Sequence, residues 1–368
     1  MNRKTNRLIA VCMFLCMSVY VMASSKDSTS QRLIHIIGVD FRPAYTFPTN
    51  GFFKGANAAQ TPVRKTFSGH VKYGFKFAPD TYWGRMYPYA IQGLGVGYNT
   101  FFNSSEIGNP LAVYAFQTYR IASITRRLSF DYEWNFGASF GWKKYDKETN
   151  PMNNVVGSKI NAYINFGLLL NWQIDACTNL RAGVGVTHYS NGNTGYPNSG
   201  VNTIGGSIGL IRYFGGKEKL ELYDRRYATY RNRNVFKPYI SYDLIVYGAL
   251  KKKGVFPPES SPVLVPGSFA VGGLNFTPMY NFSNYFRAGL SLDAQYDESA
   301  NINEHIANTV GGVDAENIRF HRPPLKEQLA VGLSVRAEIV MPIFSINLGV
   351  GRNILCKGAD TDSFYQIV

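Results

Sequence analysis

Apolar and polar residues alternate along several segments of this chain with a period of two. The clearest segment is Leu128–Trp142, where aliphatic and aromatic side chains alternate with Ser, Asp, Glu, Asn and Gly. Because successive side chains of a strand point to opposite faces, this pattern predicts a β-strand with one apolar and one polar face. The segment is longer than the ~5–6 residues usual in soluble sheets, and it suits a membrane-crossing strand, which needs ~9–11 residues.

The same alternation recurs through most of the chain. It predicts strands near residues 33–47, 67–79, 88–102, 110–122, 127–143, 159–174, 178–190, 202–214, 235–250, 262–280, 284–297, 328–340, 343–354 and 363–368. Charged residues on the polar parity, such as Asp131, Glu133, Arg336 and Glu338, require a polar lumen or inward ion pairs. We therefore predict an all-β fold, a transmembrane antiparallel β-barrel of roughly 12–14 strands.

The lengths of the links between these strands alternate. Short links are predicted near residues 123–126, 175–177, 281–283 and 341–342, and long ones near residues 48–66, 144–158, 191–201 and 298–327. Outer-membrane barrels have short periplasmic turns and longer extracellular loops, so this parity predicts a periplasmic N-terminus. The link at residues 215–234 is long and charged where a turn is expected. It indicates either a miscounted strand or a long periplasmic excursion.

The chain begins with the pattern of a secretory signal. Lys4 and Arg7 precede the apolar run Leu8–Met22, and Ala23 offers a small residue at the expected cleavage position. A retained anchor helix is the alternative, although the run is short for a span of ~20 residues. The predicted organisation is a signal peptide over residues 1–23 and an outer-membrane β-barrel domain over residues 24–368.

Composition and charge agree with a barrel in the outer membrane. The chain has 36 Gly, 25 Tyr and 25 Phe, only 17% charged residues, and no later segment that could form a transmembrane helix. Its net charge is +14, with basic clusters at Lys251–Lys253 and Asp224–Arg233. These clusters suit anionic lipid head groups, with ordinary solvated loop charge as an equal alternative. A secreted chain without a recognisable nucleic-acid-binding module is not expected to bind nucleic acid.

One predicted hairpin combines groups that can do chemistry. His188, Ser190 and Asn202 fall on the apolar parity of their strands, and a Gly- and Asn-rich loop at residues 191–201 joins them. A base, a hydroxyl and an amide therefore meet at the mouth of one hairpin, on a surface that is otherwise apolar. If this surface faces lipid, the expected substrate is a lipid.

The segment His188-Tyr189-Ser190-Asn191, followed by Pro197-Asn198-Ser199-Gly200, resembles the PagL-like acyloxyacyl hydrolases, outer-membrane lipid A 3-O-deacylases. Their pattern is His-x-Ser-Asn, then Pro-Asn-x-Gly, then an acidic residue. The resemblance, which covers about residues 184–214, implies an eight-stranded barrel that hydrolyses an ester-linked acyl chain of lipid A or lipopolysaccharide. It implies that His188 is the general base and Ser190 the nucleophile, and that Asn198, supported by Asn191, helps to hold the oxyanion.

Two departures from the family keep a second function open. The chain is far longer than eight strands need, and Asn202 stands where the family has its acidic residue. An amide can orient an imidazole, but it cannot stabilise the imidazolium by charge. The sequence therefore supports a Ser-His esterase, and the alternative is a non-catalytic barrel: a channel, a structural protein or a degenerate deacylase. A soluble secreted lipid-binding β-protein is a weaker third interpretation.

No metal or other cofactor is predicted. The remaining histidines are scattered and share no ligand spacing with Cys, Asp or Glu. They are His35, His70, His305 and His321. The glycines of Gly93–Gly97 alternate within a predicted strand, with no helix or Lys after them, and so do not form a phosphate-binding loop.

Overall fold

The computed structural model describes residues 33–78, 81–214, 236–255, 263–307, 318–341, 345–357 and 363–367. The predicted signal peptide and the link at residues 215–234 lie outside these ranges. The strands are β1 Leu33–Thr46, β2 Lys65–Phe77, β3 Ile91–Thr100, β4 Gly108–Ser123, β5 Leu128–Trp142, β6 Ile160–Gln173, β7 Thr178–Ser190, β8 Val201–Phe214, β9 Tyr239–Lys251, β10 Gly254–Val255, β11 Val263–Leu264, β12 Phe269–Asn281, β13 Phe286–Asp297, β14 Leu329–Val340, β15 Ser345–Cys356 and β16 Ser363–Ile367. The helices are α1 Gly51–Lys54, α2 Tyr82–Met86 and α3 Leu325–Gln328, with a 3-10 turn at Ile302–His305.

Strands β1–β8 form a closed antiparallel barrel. Each strand pairs with the next, and β8 pairs back with β1, where Leu210 lies opposite Val39 and Ile204 opposite Tyr45. Closure leaves no open edge, which is the condition for a sheet to cross a membrane. The predicted fold class, a transmembrane antiparallel β-barrel, is confirmed.

The later strands do not enter this barrel. Strands β9 and β12–β16 form a separate antiparallel sheet in the order β16-β15-β14-β13-β12-β9, and β10 and β11 form a small sheet of their own. The strands expected in one barrel of roughly 12–14 strands over residues 24–368 are therefore divided between two large sheets. The physical reason is the pairing of β8 with β1, which completes the barrel at Phe214.

The two faces of the barrel strands differ as the alternation predicts. On the outer face, large apolar side chains such as Val71, Leu94 and Val184 are about 60% exposed. On the inner face, polar and charged side chains such as Lys72 and Arg181 are almost completely buried. An apolar exterior of this kind matches the lipid-facing band of outer-membrane barrels. In the part of the chain that the structure describes, no helix is long and apolar enough to span a membrane.

A network of buried ion pairs lies in the middle of the barrel lumen. The Glu133 carboxylate accepts hydrogen bonds from Lys72 (2.9 Å), Arg181 (2.9 Å) and Arg42 (3.0 Å). Arg42 and Lys72 also pair with Asp40. Because an unpaired buried charge is very costly, each ion here depends on its partners. The inward charge of Glu133 on β5 therefore forms ion pairs that bridge strands, as expected, and these pairs lie in the interior of the barrel.

A hydrophobic cluster forms at the end of the barrel where the long loops lie. Phe52 and Phe53 of α1 are fully buried and belong to one cluster with Ile107, Val155 and Val156 from two other loops. Long loops mark the extracellular end of outer-membrane barrels, and the short turns mark the periplasmic end. The loop between β7 and β8 is thus extracellular, and it lies at the same end of the barrel as this cluster.

Glu133→Ala tests the dependence of the barrel on the ion-pair network. The substitution leaves Lys72, Arg181 and Arg42 buried without their shared carboxylate, and we expect a loss of about 3–5 kcal/mol in unfolding free energy. Urea titration of the folded barrel in lipid vesicles measures this loss. Glu148→Ala, which removes an exposed loop carboxylate, is the control and should change stability little. Equal losses of unfolding free energy in the two variants would show that the barrel does not depend on the ion pairs of Glu133.

Candidate functional site

The candidate site lies at the extracellular end of the β7–β8 hairpin. His188 pairs with Asn202 across the two strands, and Ser190 is the last residue of β7. These side chains share the outer face with Val184 and Ile204, which are 61% and 44% exposed. The structure thus places His188, Ser190 and Asn202 on the apolar outer face, as their parity predicts.

The side chains of His188 and Asn202 are joined directly. The distance between His188 Nδ1 and Asn202 Oδ1 is 2.7 Å. An amide oxygen can only accept a hydrogen bond, so Nδ1 donates and the neutral ring carries its proton there. This leaves the lone pair of Nε2 available to accept a proton. Among the contacts of the described residues, no carboxylate reaches His188.

Ser190 is close to His188, but in the described residues no hydrogen bond joins them. Both side chains flank Gly200, where an added Cβ would lie 3.3 Å from His188 Cε1 and 3.8 Å from Ser190 Cβ. Gly200 also has a φ of +69°, a left-handed conformation that favours glycine. The loop backbone therefore closes over both residues. Catalytic hydrogen bonds are often long before substrate binds and tighten in the reacting complex.

The two asparagines predicted to support an oxyanion hold the loop together. Asn198 Oδ1 accepts from the backbone N–H of Asn191 at 3.0 Å, and Asn198 Nδ2 donates to Asn193 Oδ1 at 3.1 Å. Asn191 Nδ2 in turn donates to the Gly195 carbonyl at 2.9 Å. The structure thus brings Asn191 and Asn198 together. An amide NH₂ has two hydrogens, so Asn198 keeps one that does not point at Asn193.

Neighbouring segments brace this loop from two sides. Ser199 Oγ donates to the Asn154 carbonyl at 3.0 Å, which ties the loop to the β5–β6 loop. On the other side, the backbone N–H of Lys252 donates to the Asn193 carbonyl at 2.9 Å. Lys252 directly follows β9, so the second sheet contacts the loop that carries Asn198.

Tyr189 is the residue that the sequence reasoning missed. It lies between His188 and Ser190 in the chain, and its side chain points into the lumen, where it is 4% exposed. Its ring packs on Trp142 at 5.1 Å between centroids, and its hydroxyl donates to Asn99 Oδ1 at 2.8 Å. Asn99 belongs to β3, four strands away from β7 in a ring of eight. The hydroxyl therefore ties the strand end that bears the site to the opposite wall of the barrel. The only sequence signal was a bulky aromatic residue on the polar parity.

The electrostatics of the nearby loops follow from local contacts. Burial raises the pKa of the Tyr196 phenol in the site loop, so this group stays neutral near pH 7. In the β5–β6 loop, hydrogen bonds from Thr149 and Glu148 lower the pKa of Asp146, so its carboxylate is charged near pH 7. Within the described ranges, no group of three or more His, Cys, Asp or Glu side chains is placed to hold a metal ion.

A closed antiparallel barrel with an apolar exterior is the architecture of an outer-membrane β-barrel. Two family models match the chain. Lipid A 3-O-deacylase (PagL) matches residues 58–210, and the C-terminal domain of acyloxyacyl hydrolase matches residues 240–368. Both segments of the chain thus match models of the PagL-like family, the outer-membrane lipid A 3-O-deacylases.

Solved outer-membrane proteins resemble about half of this chain. The outer-membrane enzyme PagL is 15% identical, with 48% of this chain and 98% of PagL covered and a TM-score of 0.33. Neisserial surface protein A is 8% identical, covers 50% of this chain over its full length, and has a TM-score of 0.33. The N-terminal barrel of OprF from Pseudomonas aeruginosa is 11% identical, with 50% and 100% covered and a TM-score of 0.29. The comparison with curated proteins found no match.

Tyr189→Phe tests whether the hydrogen bond from Tyr189 to Asn99 in the lumen positions the site. The variant keeps the ring but loses the hydrogen bond to Asn99, which is worth about 0.5–1.5 kcal/mol. We expect kcat for deacylation to fall roughly two- to tenfold with little change in KM. Tyr114→Phe is the matched control, because it removes another buried hydroxyl, the one that bonds to His70. Equal losses in both variants, measured in proteoliposomes, would show a general effect on the lumen.

Proposed function

We propose that this protein is an outer-membrane esterase that removes an ester-linked acyl chain from lipid A by a serine-type mechanism. The observation that carries the proposal is the His188–Asn202 hydrogen bond beside Ser190 at the lipid-facing mouth of one hairpin. Asn202 fixes the ring so that Nε2 is the basic nitrogen. Ser190 is the hydroxyl on the same strand face, two residues away.

The proposed reaction has two steps. His188 Nε2 takes the Ser190 hydroxyl proton while Ser190 Oγ attacks the acyl carbonyl, because a serine is a weak nucleophile without such a base. The tetrahedral intermediate collapses when the protonated His188 returns this proton to the departing sugar oxygen. Water, deprotonated by His188, then attacks the acyl-enzyme, and the collapse of the second intermediate releases the fatty acid and reprotonates Ser190.

The loop is assigned the role of oxyanion stabiliser. Asn198 has an amide hydrogen that does not point at Asn193, and Asn191 holds Asn198 in place through its backbone N–H. Fixed donors cost no reorganisation when the negative charge develops, and one such donor is typically worth ~10²–10³ in rate. A loop braced from two sides suits this role.

The surroundings of Ser190 suit a lipid substrate. Val184, Val186 and Ile204 are exposed on the face that leads to the site, and they offer an apolar track for acyl chains. The site lies at the extracellular end of the barrel, where the outer leaflet meets water. A substrate whose chains lie in the membrane and whose sugar lies above it can place an ester bond at this level.

Asn202 favours one second candidate, a degenerate deacylase that has lost activity. The amide orients His188 but supplies no negative charge for the imidazolium, and in the serine-protease template an Asp-to-amide change costs ~10⁴ in turnover. The channel alternative has less support, because buried ion pairs cross the interior of the barrel and a hydrophobic cluster lies at its extracellular end. The apolar exterior likewise disfavours a soluble lipid-binding protein.

Ser190→Ala and His188→Ala should each abolish deacylation, because one removes the nucleophile and the other the base. Mass spectrometry of lipid A from cells with and without each variant measures the loss of the acyl chain. Ser105→Ala is the matched control, since its hydroxyl lies in the β3–β4 loop, where it donates to Asn103, and it has no part in the reaction. Near-wild-type activity in Ser190→Ala or His188→Ala, with the barrel assembled, would refute the site.

Substitutions of Asn202 distinguish the orientation of the His188 ring from the stabilisation of its imidazolium by a negative charge. Asn202→Ala removes the hydrogen bond to His188 Nδ1 and should lower kcat. Asn202→Asp or Asn202→Glu supplies a negative partner for the imidazolium and should raise kcat by up to ~10² if the geometry is kept. If Asn202→Ala is neutral and neither acidic variant gains activity, another residue completes the constellation. If neither wild type nor any variant hydrolyses any of the acyl esters tested, the degenerate-deacylase interpretation is the correct one.

A further inference from the structure

A basic recess lies at the periplasmic end of the eight-stranded barrel, opposite the candidate active site. Its lining includes the cations Lys76, Arg120, Arg126 and Arg127, and none of its lining residues is acidic. The recess opens to solvent. It is bounded by the β4–β5 and β6–β7 turns and by the ends of β2 and β8.

Buried polar side chains form the floor of this basic recess. Ser129, Asn171 and Asn179 line it and are each less than 9% exposed. Asn179 Nδ2 donates to Asn171 Oδ1 at 3.0 Å, and Asn171 Nδ2 donates to Ser129 Oγ at 3.4 Å. Each amide NH₂ has a second hydrogen, so this floor can donate to an anion held by the cations above it.

Two of the cations are held in place by aromatic rings. The Arg120 guanidinium lies 4.4 Å from the centre of the Tyr89 ring, and Lys76 Nζ lies 5.7 Å from that of Tyr213. Ring contacts of this kind orient a cation without neutralising it. Asp131 interacts electrostatically with Arg120 but does not line the recess. The lining of the recess itself therefore carries basic side chains and no acidic one.

Arg126 and Arg127 face outward in the β4–β5 turn. Both are exposed, and within the described residues their guanidinium groups form no ion pair. Guanidinium groups bind phosphate oxygens through paired N–H donors, which makes arginine well suited to phosphate. These two side chains are thus free to close over an anion at the rim.

The basic recess lies at the level of lipid head groups. Ile124, in the same turn as Arg126, is 55% exposed, and Trp172 at the end of β6 is 51% exposed on the outer face. Exposed Trp at the end of a barrel strand marks the membrane–water interface. The phosphates of the inner leaflet lie at this interface.

We propose that the basic recess binds a phosphate anion, and that its source is the head group of an anionic phospholipid in the inner leaflet. The four cations and the amide floor match the charge and the acceptor oxygens of phosphate, and the neighbouring Ile124 and Trp172 contact the acyl region. Free inorganic phosphate has the same chemistry but makes no use of this apolar border. The proposal is independent of the deacylase reaction, which takes place at the other end of the barrel.

The test uses the full-length protein in nanodiscs of phosphatidylcholine with a minor fraction of phosphatidylglycerol. Native mass spectrometry after mild delipidation counts the phosphatidylglycerol molecules that the protein retains. The double substitution Arg126→Gln/Arg127→Gln should lower this retention roughly 25-fold, since each basic residue near an anionic surface contributes about a factor of five. Lys143→Gln/Lys144→Gln removes the same charge from exposed residues at the extracellular end and should retain phosphatidylglycerol like wild type.

Added inorganic phosphate distinguishes the two sources. Retention of phosphatidylglycerol that survives millimolar phosphate supports the head group, with its apolar contacts, as the ligand. Saturable binding of phosphate with no preferential retention of phosphatidylglycerol would overturn the lipid assignment. Equal retention by the two double variants would overturn the site itself. Heat-modifiable migration on gels verifies that each variant is an assembled barrel.

Discussion

Every backbone polar group inside a membrane must find its partner within the protein, and the pairing of β8 with β1 meets that condition here. Closure of the sheet also fixes an inside and an outside, and strand alternation then assigns each side chain to one of them. The same alternation that sends Tyr189 into the lumen sends His188 and Ser190 toward lipid. The ion pairs around Glu133 and the candidate site are thus two consequences of one closed sheet.

Much of this arrangement follows from the sequence, because a period of two is a local property. The strand near residues 127–143 is observed at Leu128–Trp142, and the parity of His188 and Asn202 places both on the outer face. Closure after eight strands is not local. It depends on contacts between β1 and β8, which lie far apart in the chain, and the periodicity is the same whichever strands pair. The division of the later strands into a second sheet was missed for this reason.

The contacts of Gly200 and Tyr189 in the site could not be predicted from the sequence for a related reason. The motif brought together His188, Ser190, Asn191 and Asn198, but the role of Gly200 rests on a positive φ and on distances to two side chains. The hydroxyl of Tyr189 reaches Asn99 across the lumen, so its partner is separated from it by 90 residues. The local alternation of residues does not predict contacts that cross a barrel.

The interior of the barrel also bears on how a substrate would reach Ser190, the proposed nucleophile. The carboxylate of Glu133 and its cationic partners occupy the middle of the barrel, and Phe52 and Phe53 belong to the cluster at its extracellular end. A charged interior of this kind is a poor environment for an acyl chain. The outer face around Val184 is apolar and continuous with the site. The proposed reaction therefore has the substrate approach sideways from the outer leaflet, with its acyl chains still in the membrane and its ester at the level of the hairpin mouth. The barrel acts as a rigid wall that holds the reactive groups at that level.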